Sequence, residues 1–286
     1  MNFFGSDATP RPNPLTLIIG AIAASAALAA CTHTAPTSQT AEGGEAGGGV
    51  AAIKTTVEAT HPWDRTSFTQ GVEQAADGRI LVGTGQYGES RIYWTTLNSA
   101  QSDSQPLDEA FFGEGVTIAE DTVWQLTWKK QVAIKRDADT LEETGRASYS
   151  GEGWGLCSQQ DRLVMSNGTG RLTFRDPETF EERGSVEVTR GGEPVTMLNE
   201  LECMSDRQTV WANVWQTNEI YRIDLASGEV TGVADLSGLL PAASKPGADV
   251  LNGIAAVRDK EGRPVDGRFY VTGKWWDEMY EVRFDG

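Results

Sequence analysis

From Ile53 onward, apolar and polar positions alternate in short runs separated by Gly- and Asp-rich turns. Such runs include Ile80-Leu81-Val82, Val123-Trp124-Gln125-Leu126, Leu163-Val164-Met165, Val210-Trp211-Ala212-Asn213-Val214 and Phe269-Tyr270-Val271. Period-two patterning between turn signals predicts β-strands. Each run is preceded by a recurring lead: a polar or aromatic residue, then Gly or Glu, then an aliphatic residue. The leads are Gln70-Gly71-Val72, Glu114-Gly115-Val116, Trp154-Gly155-Leu156, Asn199-Glu200-Leu201 and Asn252-Gly253-Ile254, spaced 44, 40, 45 and 53 residues apart. The longest interval carries an insertion near residues 237–245. A third run follows in each unit, and several units close on an Asp-x-x-Thr/Ser turn, as at Asp137, Asp176 and Asp224. About four strands per unit of roughly 40–50 residues is the period of a propeller blade. The expectation is an all-β, five-bladed β-propeller over residues 53–286. The last unit has only three strands of its own, so residues 53–59 (IKTTVEA) are expected to supply its outermost strand and close the ring.

Blade geometry turns the repeat into a site. Lead residues begin the innermost strands, which converge on a central channel. Gln70, Glu114, Trp154, Asn199 and Asn252 are therefore expected around one channel mouth, and convergent polar groups beside an indole form a binding-site pattern.

The segment before the repeats reads differently. Residues 15–30 (LTLIIGAIAASAALAA) form an uncharged apolar run, short for a membrane span and suited to the core of a signal peptide. Leu28-Ala29-Ala30-Cys31 resembles a bacterial lipobox, which implies removal of residues 1–30 and lipidation of Cys31. Thr32 stands where an Asp would favour inner-membrane retention, so an outer-membrane lipoprotein facing the periplasm is expected. Residues 31–52 are small, polar and Gly-rich, and read as a flexible tether.

Composition narrows the chemistry. A formal net charge of −17 repels phosphate backbones and argues against nucleic acid. Two His and three Cys give little support to a His-rich zinc site or a Ser-His-Asp triad. The membrane is reached only through the lipid, and a monomer is expected.

The repeat motifs resemble those of the plant and bacterial, propeller-type glutaminyl-peptide cyclotransferases. The matching segments run in order through every unit. They include Phe68-Thr69-Gln70-Gly71, Tyr87-Gly88-Glu89-Ser90, Phe112-Gly113-Glu114-Gly115, Glu152-Gly153-Trp154-Gly155-Leu156, Leu198-Asn199-Glu200-Leu201-Glu202, Ala212-Asn213-Val214-Trp215 and Thr272-Gly273-Lys274-Trp275. The His61-Pro62-Trp63-Asp64 lead is longer than the family's, and two cysteines stand where the motif needs none. The resemblance implies cyclisation of an N-terminal glutamine of peptides or proteins, with loss of ammonia and no required cofactor. It implies that Glu114 shuttles the proton and that Lys274 stabilises the oxyanion or holds a peptide carbonyl. Asn199 and Gln70 would bind the carboxamide and the α-amine. Phe68, Phe112, Trp128, Trp154 and Trp215 would wall the pocket, with Asn252 and Gln125 as secondary candidates. Trp124, Trp211, Trp275 and Trp276 are assigned mainly to packing.

Cys157 and Cys203 lie near the starts of neighbouring inner strands. Those strands are expected to stand too far apart for a bridge, whose Cα atoms rarely exceed ~7 Å, so two buried thiols are the expectation and a disulfide the alternative. A channel rich in acids and carbonyls has room for a structural Ca²⁺, although no ligand set is legible and no catalytic metal is expected. A non-catalytic propeller that binds peptide or glycan at the envelope is the competing class, and a metal-dependent propeller hydrolase a third.

Overall fold

The computed structural model describes residues 49–98 and 101–286; the signal segment, Cys31 and most of the tether lie outside the described residues. The described chain is all-β apart from one 3-10 turn, Pro241–Ser244, inside the insertion. It opens with β1 (Ala51–Pro62), which starts two residues before the expected boundary. An antiparallel sheet follows: β2 (Thr69–Gln74), β3 (Ile80–Thr84), β4 (Arg91–Thr95) and β5 (Ser102–Pro106). The next is β6 (Gly113–Ala119), β7 (Thr122–Thr127), β8 (Val132–Asp137) and β9 (Glu143–Ser148). The third is β10 (Leu156–Gln159), β11 (Arg162–Met165), β12 (Arg171–Arg175) and β13 (Glu182–Glu187). A short ribbon, β14 (Thr189–Arg190) and β15 (Glu193–Pro194), precedes β16 (Leu198–Cys203), β17 (Thr209–Val214), β18 (Glu219–Asp224) and β19 (Val230–Asp235). The last three strands are β20 (Leu251–Arg258), β21 (Pro264–Gly273) and β22 (Glu278–Asp285).

β1 pairs with both β19 and β22, near the end of the described residues. Residues 54–62 pair antiparallel with β22, and residues 51–53 pair parallel with β19. The first strands of the sheets neighbour one another in cyclic order: β2 beside β6, then β10, β16, β20 and β2 again.

Small residues make these inner contacts possible. A Cβ on Gly71 would stand 2.6 Å from the Val116 nitrogen, and one on Gly155 would collide with the Asn199 carbonyl. The lead motif therefore needs Gly at its second position wherever neighbouring backbones touch. Beyond these contacts, the sheets pack through apolar faces. Indoles lock one sheet to the next turn: Trp94 Nε1 donates to the Ala138 carbonyl at 3.1 Å, and Trp124 Nε1 to that of Pro177 at 2.8 Å. The receiving turns are the Asp-x-x-Thr motifs. The Asp137 carboxylate accepts from the Thr140 amide and hydroxyl, both at 2.9 Å. This side chain–backbone bonding explains why Asp begins the turn.

Cys157 and Cys203 depart from the two-thiol expectation. They form a disulfide across β10 and β16, with Cα atoms 5.4 Å apart. The physical reason is the same close approach: Gly155 lets β16 sit against the start of β10. The bridge closes a 46-residue span. Cys157→Ser with Cys203→Ser is expected to lower stability by about 2–4 kcal/mol. Urea unfolding of the oxidised protein and the double variant measures this.

Further along the inner strands lie Glu73, Glu200 and Glu202, with the Arg258 guanidinium near Glu73 and Glu202. Glu200 is fully buried; one of its oxygens accepts from the Val72 amide at 3.1 Å and the other has no partner. Burial raises all three carboxyls above their ordinary range, and mutual repulsion adds to it at Glu200 and Glu202. A raised folded pKa contributes stability that is fully present below the unfolded carboxylate pKa and lost as pH rises through the folded value. Melting temperature is therefore expected to fall between pH 5 and 9, and Glu200→Gln to flatten that fall. An unchanged slope in scans of the variant would count against this.

Candidate functional site

Four of the five lead residues sit on strand bulges. The pairing register shifts between Thr69 and Gly71, Gly113 and Val116, Leu198 and Leu201, and Leu251 and Ile254. A bulge re-aims the side chain it carries. Gln70, Glu114, Asn199 and Asn252 stand at these irregularities; Trp154 instead lies just before β10.

A cavity of about 300 Å³ opens where the strands converge. Phe68, Gln70, Phe112, Glu114, Trp128, Trp154, Asn199, Trp215 and Lys274 line it, so nine of the ten expected catalytic and substrate-binding residues come together. Asn252 does not reach it. Its amide is fully buried and donates to the Thr69 carbonyl and to Gln70 Oε1, each at 3.1 Å. Asn252 thus sits behind Gln70 and fixes which way that amide points, leaving the Gln70 N–H groups for the cavity. Gln125 is also removed from the cavity and accepts from Arg136 Nε at 3.1 Å. A wider cleft of about 530 Å³ beside Trp211 and Arg222 contains none of the lead residues.

The walls are aromatic and mutually braced. Phe68 meets Phe112 edge-on at 6.0 Å, Phe112 meets Trp128 at 5.5 Å, and Trp154 meets Trp215 edge-on at 5.5 Å. Such geometries suit the ring quadrupoles. Gly168 seats Trp154: a Cβ there would stand 2.5 Å from the indole. Trp275, assigned to packing from sequence, instead stands 37% exposed at the rim with its ring 4.6 Å from Phe68. Trp124, Trp211 and Trp276 are buried.

Within this apolar wall lie two ionisable groups. Burial pushes the Glu114 carboxyl well up; the Lys274 ammonium opposes that shift and Glu152 reinforces it. Burial pulls Lys274 down, against the attraction of Glu114 and Asp249. The Lys274 nitrogen lies 4.8 Å from the centre of the Phe68 ring, a cation–π distance. Asn199 presents a buried side-chain oxygen with no partner, an acceptor left open. The arrangement offers a carboxyl whose ionisation burial opposes, an adjacent cation, amide donors and acceptors, and desolvating walls. These are the components of proton transfer with oxyanion stabilisation. Among the described residues, no cluster of three or more His, Cys, Asp or Glu side chains is arranged to hold a metal ion.

Gln86 also lines the cavity, and the sequence reading missed it. It sits in the turn before Tyr87-Gly88-Glu89-Ser90 with a φ of 98°, a left-handed conformation rare for a side-chain-bearing residue. Its carbonyl is held by the Ser90 amide at 2.8 Å and hydroxyl at 2.7 Å. The signal available was the strongly turn-like Gly85-Gln86-Tyr87-Gly88, which marks a bend without saying which way its side chains point.

Comparison with known proteins agrees with this geometry. The family model described as glutamine cyclotransferase matches residues 23–284. A glutaminyl-peptide cyclotransferase of Arabidopsis thaliana is 34% identical over 233 residues, covering 79% of this chain and 70% of the relative. The crystal structure of Myxococcus xanthus glutaminyl cyclase superposes with a TM-score of 0.73 at 33% identity, covering 82% of this chain and 98% of that one. With the aromatic cavity and the buried Glu114 in place, this chain belongs to the glutamine cyclotransferase family.

Proposed function

We propose that this protein is an acyltransferase that converts the N-terminal glutamine of peptides and proteins to pyroglutamate with release of ammonia. The observation that carries the reading is Glu114, 4% exposed inside an aromatic cavity and electrostatically coupled to Lys274. The scaffold is read as a five-bladed β-propeller whose last blade is completed by β1. The cyclic order of the inner strands and the β1–β22 pairing support this.

In this reading the glutamine side chain enters the cavity and folds back on its own α-amine. The α-nitrogen attacks the carboxamide carbon and forms the ring C–N bond. Glu114, as carboxylate, takes a proton from that nitrogen. The oxygen becomes an oxyanion, stabilised by the Lys274 ammonium with the Gln70 amide as a further donor. Collapse breaks the bond to the amide nitrogen, and Glu114 returns the proton so that the group leaves as ammonia. Atoms and charge balance without a cofactor or metal. The Asn199 oxygen accepts from the substrate's N–H groups. Because both reacting groups belong to one residue, the walls need only hold a compact conformer and exclude water.

Ammonia release from H-Gln-Ala, with EDTA present, tests this. The wild type is expected to be active. Glu114→Gln is expected to lose ~10²–10⁴-fold in kcat with its fold retained. Lys274→Met is expected to lose ~10²-fold. The Lys274 ammonium favours ionised Glu114, so removing it raises the Glu114 pKa further. The acid limb of residual kcat then moves to higher pH. No release from a folded wild type would favour a non-catalytic, peptide- or glycan-binding propeller, and loss of activity in EDTA a metal-dependent hydrolase.

Residues 1–30 act as a lipoprotein signal, lipid on Cys31 anchors the chain, and the residues up to β1 tether the domain on the periplasmic side of the outer membrane. The resemblance to a lipobox at Leu28-Ala29-Ala30-Cys31 supports this. Radiolabelled palmitate is expected to enter the wild type and not Cys31→Ala, and fractionation to place the label in the outer membrane.

A further inference from the structure

Both Trp128 and Trp154 line the cavity, and both turn their N–H groups to the same atom. Trp128 Nε1 donates to Glu152 Oε2 at 2.7 Å, and Trp154 Nε1 donates to that oxygen at 3.0 Å. The other Glu152 oxygen faces the Lys129 ammonium at 3.7 Å, and that ammonium lies 3.9 Å from the centre of the Trp128 ring. We propose that Glu152 is a positioning residue of the pocket, one carboxylate oxygen clamping two walls contributed by different sheets. This rests on the cyclotransferase reading of the same site.

The loop bearing Glu152 is built to hold still. The Gly153 amide donates to the Trp128 carbonyl at 3.0 Å, and the Tyr149 amide to that of Gln131 at 3.0 Å. The Tyr149 hydroxyl donates to the Thr127 carbonyl, and a Cβ on Gly153 would collide with that hydroxyl. The clamp is therefore fixed to the end of β7 as well as to the start of β10. An indole without a partner for its N–H could rotate; two indoles sharing one acceptor define the width of the opening between them. Hydrogen bonds to a carboxylate are among the stronger ones available.

The clamp also places a negative charge near the reacting carboxyl. The ionisable groups facing Glu114 are Lys274 at the end of β21, Glu152 before β10, and the Tyr149 phenol from the same loop. Glu152 opposes ionisation of Glu114 and Lys274 favours it. Glu152 thus has two separable effects, one through its acceptor oxygen and one through its charge.

Two substitutions separate them. Gln keeps an acceptor for both indoles and removes the charge; Ala removes both. Ammonia release from H-Gln-Ala is measured from pH 5 to 9 for the wild-type protein, Glu152→Gln and Glu152→Ala, with melting temperatures to verify folding. For Glu152→Gln, KM is expected to stay within about threefold while the acid limb of kcat moves down by about half to one pH unit, since loss of a nearby like charge favours ionised Glu114. For Glu152→Ala, KM is expected to rise about tenfold, because the bonds holding two binding walls are lost. Inactive wild type would strike the functional reading itself. With active wild type, an unmoved acid limb in Glu152→Gln, or unchanged KM in folded Glu152→Ala, would overturn the inference. If Glu152→Ala does not fold, Glu152→Leu, which also removes the acceptor but keeps the volume, decides through KM.

Discussion

At three junctions the inner strands meet within backbone contact, and much of the molecule follows from that constraint. Gly71, Gly115 and Gly155 remove the side chains that would hold neighbouring strands apart. At the mouth the pairing register shifts at Gln70, Glu114, Asn199 and Asn252. The bulges bring together polar side chains scattered along the sequence. The same proximity turns Cys157 and Cys203 into a disulfide. Where Glu200 replaces Gly, its buried carboxyl crosses to the Val72 amide.

Electrostatics in the cavity are set by exclusion of water more than by any single pair. Burial raises Glu114 and lowers Lys274, and each partly counters the shift in the other. Burial thus favours the uncharged form of both groups, the kind of perturbation that acid–base sites use. The aromatic walls cause that exclusion, so their placement is part of the acid–base chemistry. Glu152 joins the two: it holds indoles in place and adds charge to the field felt by Glu114.

Much of the site was legible because the lead motif repeats. Gln70, Glu114, Trp154 and Asn199 follow from position within the repeat, and the family resemblance added Phe68, Phe112, Trp128, Trp215 and Lys274. Asn252 was placed at the mouth by the same logic, yet its amide is spent on Gln70. Repeat position says where a side chain starts, not which neighbour captures it. Gln86 escaped because nothing in a turn sequence states its direction, and Glu152 because an acid beside a tryptophan looks like any of 41 acids. The outer strands β5 and β9 were not read as strands: SDSQP and ETGRAS are largely polar, and only pairing with β4 and β8 makes them strands.

By itself the sequence determined the all-β class, the unit length, the Asp-led turns and the lead residues. These depend on local alternation, turn chemistry and repetition, which are written along the chain. Only the tertiary structure decided which lead residues face the cavity, that two cysteines bond, that Trp275 stands at the rim, and that one carboxylate serves two indoles. Those outcomes depend on contacts between segments apart in sequence, 24 residues for Trp128 and Glu152, 46 for the two cysteines and 182 for Asn252 and Gln70, which only the packing of the inner strands brings together.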